Sequence, residues 1–140
     1  MKKTITNLLS IAFLFAILFS FSLNINAQVD KSDKNGVYTV VEKEAEYPGG
    51  IEAMNKFLAR NINYPSLASQ KEIEGKVLIS FIIEKDGSIS NIKIIKDIGE
   101  GCGQEGVRIV KLMPKWKPAE QRGKPVRQQF VLPISFSLVK

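Results

Sequence analysis

Histidine is absent from this sequence, and cysteine and tryptophan occur once each. Without histidine the chain lacks the commonest general base and the commonest metal ligand. With Cys102 alone no internal disulfide can form, so stability has to come from a packed core. No zinc-ligand spacing, Ser/His pairing or P-loop pattern is present. The alternating acids Glu42, Glu44 and Glu46 are best read as one solvated side of an extended segment, not as an acid–base pair. These absences argue against an enzyme and predict neither cofactor nor metal. Acids are also scarcer than bases, 14 against 20, for a net charge of +6. Seven of the bases lie between Arg108 and Arg127, with Glu120 the one acid among them. Such a stretch would suit nucleic acid, but the simpler reading is a locally basic, solvated face, and no nucleic-acid partner is expected.

Only one long apolar run exists, at the N-terminus. Lys2 and Lys3 precede "LLSIAFLFAILFSFSL", residues 8 to 23, and "NINAQ" follows. This is the layout of a secretory signal peptide ending at Ala27; an uncleaved membrane anchor is the alternative. Cleavage would leave 113 residues beginning at Gln28, enough for one domain with one core, and export places it in the periplasm. The expected organisation is a signal peptide at 1–27, an N-terminal arm at 28–44 and one domain at 45–140.

Within the arm, residues 28 to 36 are polar and read as loose, and residues 37 to 41 form a short strand or extended arm. Ile51, Met54, Phe57, Leu58 and Ile62 recur on one helical face. Pro65 and Ser66 can open a second, short helix to about Lys71. Val77, Ile79, Phe81 and Ile83 alternate, Asp86-Gly87 supplies a turn, and Ile92 and Ile94 alternate on the return, which is a β-hairpin. A helix is expected over 104–113, closed by Pro114, and "KWKPAEQRGKP" reads as an ordered loop. Finally Val126, Phe130, Leu132, Ile134, Phe136 and Leu138 share one face of a long strand, with Gln128 the polar exception. Pro133 cannot donate to a ladder, so this strand is expected at a sheet edge.

Between the hairpin and the second long helix lies "GCGQEG", residues 101 to 106, which matches G-x-G-x-x-G. A dinucleotide site needs this motif inside a βαβ unit. Here the preceding strand is the return arm of a hairpin, and Pro114, Pro118 and Pro125 interrupt the chain before the next strand. The glycines therefore read as backbone devices. Gly99 and Gly101 would take positive φ, Gly103 would cap the helix, and Gly106 would weaken it by about 1 kcal/mol relative to alanine.

Tyr64-Pro65, Gly75-Lys76-Val77, Asp86-Gly87, Met113-Pro114, Trp116, Pro118, Gly123-Lys124 and Pro133, taken as a set over residues 45 to 138, resemble the C-terminal domain of TonB energy transducers, in the form common in Bacteroidetes. The resemblance implies an α+β fold, two helices packed on a three-stranded antiparallel sheet, here with an N-terminal extended arm. It also implies a function. Such a domain binds the TonB box of outer-membrane transporters in the periplasm by adding the box as a strand, in support of energy-dependent transmembrane transport. Carried over by position, the docking strand is Val126, Arg127, Gln128, Gln129, Phe130, Val131, Leu132 and Ile134, continuing to about Phe136. The loop with Arg60, Asn61, Asn63 and Tyr64 resembles the segment that meets the transporter rim and box. Trp116 and Tyr64 are expected chiefly in packing. The implied partners are TonB-dependent transporters and the inner-membrane ion-driven motor, with homodimers through the edge strand as a further expectation. Two departures stand out. Relatives often carry Asp and Ala where this chain has Gly103 and Gly106. A full transducer also has a membrane anchor and a long proline-rich spacer, where about 18 residues separate Ala27 from the start of the resemblance. A soluble adaptor or competitor that transmits no force is the alternative reading.

Overall fold

The computed structural model describes residues 32–138; the expected signal peptide lies outside them. Among the described residues, five strands and three helices follow in chain order. They are β1 (Val37–Tyr38), α1 (Gly50–Asn61), α2 (Ser66–Gln70), β2 (Gly75–Ile83), β3 (Ile89–Lys96), α3 (Cys102–Leu112), β4 (Ala119–Gln121) and β5 (Lys124–Phe136). The α+β class and the antiparallel unit β3-β2-β5 are as the sequence implied. The strand order is β1-β5-β2-β3, with β4 also paired to β5.

The β2–β3 hairpin forms where the alternation placed it. Val77, Ile79, Phe81 and Ile83 are fully buried on one face. Asp86 Oδ1 accepts the Ser88 N–H and hydroxyl, and Gly87 takes φ +84° at the turn. Opposite them on β5 lie Phe130, Leu132, Ile134 and Phe136, in register with Phe81, Ile79, Val77 and Gly75. α3 closes this face with Cys102, Ile109 and Val110, all buried. Burying side chains of this size contributes roughly 1.5–3 kcal/mol each, so this layer dominates the fold's stability.

The glycine corner works differently from the expected form. α3 starts at Cys102, and its N-cap is Gly101, at φ +89°. Gly103 lies in the first turn, and its N–H donates to Asp97 Oδ1, which also accepts the Gly99 N–H. The capping oxygen therefore comes from just past the end of β3. A Cβ on Gly103 would stand 2.4 Å from that carboxylate, and one on Gly106 would stand 2.9 Å from Ile79. Both glycines are thus set by close approach, and Gly106 lets α3 lie directly on β2.

Four further differences have physical reasons. Ile51 fits the helical stripe but is 70 % exposed, because it sits in the first turn of α1, and Met54, Phe57 and Leu58 supply the packed face. The loop after Trp116 contains β4, which pairs with Lys124–Val126 around the Arg122-Gly123 turn. Residues 33 to 36, expected to be loose, are a built turn. Asp33 Oδ1 accepts the N–H groups of Asn35 and Val37, and the Gly36 N–H donates to the Asp33 carbonyl. β5, expected at an edge, has β1 outside it over two residues.

Candidate functional site

The sheet has two edges, and they are built differently. β3 pairs only with β2, and its ladder is interrupted by two register shifts. Asn91 within it has φ +50°, and Lys93 and Lys96 are exposed along it. Bulges and lysines are the devices by which proteins stop other strands from adding to an edge. β5 carries no bulge, its one lysine, Lys124, lies where β4 pairs with it, and Pro133 is the one residue of the strand past Gln128 without an N–H to donate. Its ladder with β2 runs through nine consecutive pairs, from Gly75↔Phe136 to Ile83↔Gln128, without a shift. On its other side β4 pairs with Lys124–Val126 and β1 with Arg127 and Gln128. Beyond Gln128, among the described residues, no strand covers that side. About eight residues of straight edge, roughly 26 Å at strand rise, are left open.

The expected docking residues divide at that point. Val126 is paired with Ala119, Arg127 with Val37 and Gln128 with Tyr38. Gln129, Phe130, Val131, Leu132 and Ile134 lie on the open stretch. On the face away from the helices, Gln129, Val131, Pro133 and Ser135 follow one another, all exposed and none charged. Gln129 Nε2 donates to Ser80 Oγ on β2. On the core face, Phe130 is half-buried with its ring 5.0 Å from Trp116, which in turn meets Tyr47 and Phe81. Trp116 is thus a packing residue behind the open strand.

The second group is split: Arg60 and Asn61 belong to the last turn of α1, and Asn63 and Tyr64 lie in the loop from α1 to α2, which reaches the far end of β5. The Tyr64 ring stands edge-on to Phe136 at 5.5 Å, and its hydroxyl donates to the Ile73 carbonyl. Burial, with the nearby Glu74 carboxylate, raises the Tyr64 phenol above its ordinary pKa. Asn61 Nδ2 donates to the Phe57 carbonyl, while Arg60 and Asn63 are exposed. What fixes this loop was not visible as a site in the sequence. Glu105, on α3, accepts the Asn63 N–H at 2.7 Å and a bidentate pair from Arg108. Arg108 also donates to the Asn61 carbonyl. The Arg108 guanidinium holds the Glu105 carboxyl below the usual carboxylate range, with the Asn63 N–H adding to it. A second unforeseen pair is Gln121 and Gln128, both buried. They accept the N–H groups of Glu42 and Ala45 and so bind the arm to the β4–β5 hairpin. Gln128 was at least marked in the sequence, as the one polar residue on an apolar face.

Among the described residues no cluster of His, Cys, Asp or Glu could hold a metal ion, and no helix is long and apolar enough to cross a membrane. The features that stand out are an open strand edge, a rigid loop at one end of it and a paired arm at the other, an arrangement suited to taking up another strand. The family described as the C-terminal of Gram-negative bacterial TonB protein matches residues 60–138, and the chain belongs to that family. It is 35 % identical over 74 residues to Protein TonB of Helicobacter pylori strain 26695, which covers 48 % of this chain. It is 36 % identical over 73 residues to Protein TonB of strain J99. In each case the match spans about a quarter of the relative's length, 25 %. Two NMR solution structures of the Helicobacter pylori TonB C-terminal domain are also similar, at 27 % and 25 % identity and TM-scores of 0.45 and 0.41. They cover 67 % and 61 % of this chain and are each matched over 90 % of their own length.

Proposed function

We propose that this chain is a periplasmic TonB-type module that binds box peptides of outer-membrane transporters by strand addition to β5, and so takes part in energy-dependent transport rather than in catalysis. The observation that carries the reading is the contrast between the two sheet edges, one broken by bulges and lysines, the other straight, uncharged and open over 129–136. Docking on an edge is made by main-chain hydrogen bonds, with alternate side chains tuning specificity. The uncharged face beside Val131 suits small or β-branched residues of an incoming strand. The loop held by Glu105 and Arg108 stands at the Phe136 end, with Tyr64 edge-on to the core-facing Phe136 ring.

A backbone scan tests this directly. A box peptide from a transporter encoded in the same genome is made with single N-methyl groups at successive residues, and affinity is measured for each. Only every second N–H of an added strand faces β5, so methylation should weaken binding at least about tenfold at alternate positions and little at those between. A uniform effect along the peptide, or none, would contradict strand addition.

A further inference from the structure

The arm meets the open edge at one end, and it is built in two parts of unequal strength. Its second part is anchored. Lys43 pairs with Glu120 and Glu46 with Lys117. Buried Gln128 accepts the Ala45 N–H at 2.8 Å, and Tyr47 is buried in the core. Its first part, residues 32 to 38, is a small self-contained turn. Asp33 holds it together through Asn35 and Val37, and Ser32 bridges Tyr38. It touches β5 through only two ladder positions, Val37↔Arg127 and Tyr38↔Gln128. Beyond these, the Arg127 Nη1 group donates to the Asn35 carbonyl, and Val37 is buried. Between the two parts lie Thr39 and Val40, both exposed, the latter 72 %. A strand of two residues, joined to a firm anchor by an exposed link, can leave without unfolding the rest.

The first part also stays ready to return. Arg127 is held in place by Glu84, just past the end of β2, at 2.7 and 3.0 Å, through bonds that do not involve the arm. The receiving side is therefore fixed, and among the described residues the seating runs through a two-residue strand, the buried Val37 side chain and the charge of Asp33 near Arg127.

We propose that residues 32–38 form an exchangeable strand that closes the first two positions of the docking edge and is displaced by the end of a bound peptide long enough to reach Arg127. This rests on the peptide-docking reading above. The arm then acts as a length filter. A peptide of about eight residues binds beside it, and a longer one has to displace it.

The test uses the full chain, its Asp33→Ala variant and its Val37→Asp variant, with box peptides of eight and twelve residues from one transporter, sharing a common centre. Binding is followed by backbone amide NMR and by affinity. In the unaltered protein the short peptide should perturb 129–136 and leave 33–38 in place. The long one should also move 33–38 to the shifts of a free chain. Either substitution loosens the arm, and each should tighten the long peptide about tenfold, the equivalent of one to two net hydrogen bonds, while leaving the short peptide unchanged. Long-peptide binding that leaves 33–38 in place, or equal affinities in all three proteins, would overturn the inference with docking intact. No perturbation at 129–136 by either peptide would overturn both.

Discussion

Gly87→Ala should cost about 4 kcal/mol of stability, at the upper end of what single substitutions do. Two independent strains add at this position. Gly87 has φ +84°, a region that penalises any Cβ. A Cβ there would also lie 1.9 Å from the Trp116 carbonyl oxygen, 3.0 Å from its carbon and 3.2 Å from its nitrogen. These are main-chain atoms, and they cannot swing aside. The same residue is tied to the turn, since the Trp116 N–H donates to the Gly87 carbonyl at 2.8 Å. Forcing the turn away therefore breaks that bond and unseats Trp116 from Phe81 and Phe130. Gly123→Ala is the control. Gly123 has φ +72° but nothing within 4 Å of the place a methyl group would take, so it should cost only about 1 kcal/mol. Urea midpoints measure both. A Gly87→Ala protein within about 0.5 kcal/mol of the parent, the range of an inconsequential surface change, would refute the close packing of turn against loop.

Glu105→Ala should cost about 2–3 kcal/mol and should release the 61–63 loop. The substitution leaves the Asn63 N–H without its acceptor and removes the bidentate partner of Arg108. Hydrogen bonds to charged groups contribute about 1.5–3 kcal/mol net of the water bonds they replace, and Arg108 is exposed enough to recover part of its hydration when Glu105 is lost. Glu105→Gln, which keeps one acceptor, should cost less. The pH dependence follows from the lowered pKa. The unfolded chain takes up the Glu105 proton at the ordinary carboxylate pH, and the folded chain does so only lower. The contribution is therefore complete above the ordinary carboxylate pKa and is lost as pH falls through the lowered folded one. Stability curves of the parent and Glu105→Ala should converge as pH falls through that range. Curves that stay parallel would exclude the pair as the source.

Elements governed by local chemistry were legible in the sequence alone. The β2–β3 hairpin, its Asp86-Gly87 turn, the two longer helices and the last strand all appear close to where period and turn residues put them. What escaped depends on contacts between distant residues. Gly103 looked like a cap, but Asp97, six residues earlier, supplies the capping oxygen, and a free space around Gly103 is what that arrangement requires. β4 has three residues between Pro118 and the Arg122-Gly123 turn, too few to show alternation, and it exists because β5 offers it a partner. The anchors at Gln121 and Gln128 reach back about 80 residues to the arm, beyond the reach of any local pattern. The site shows the same division. The strand that offers the open edge could be read from its alternation and from Pro133. How much of it β1 and β4 already cover, and the Glu105–Arg108 clamp beneath the Asn61–Asn63 loop, could not.

The functional reading turns on the open edge of β5, and amide NMR during a box-peptide titration tests it most directly. Saturable shifts and slowed hydrogen exchange should cluster at residues 129 to 136, with the outer edge of β3 silent. Changes confined to β3, or none anywhere at millimolar peptide, would contradict it.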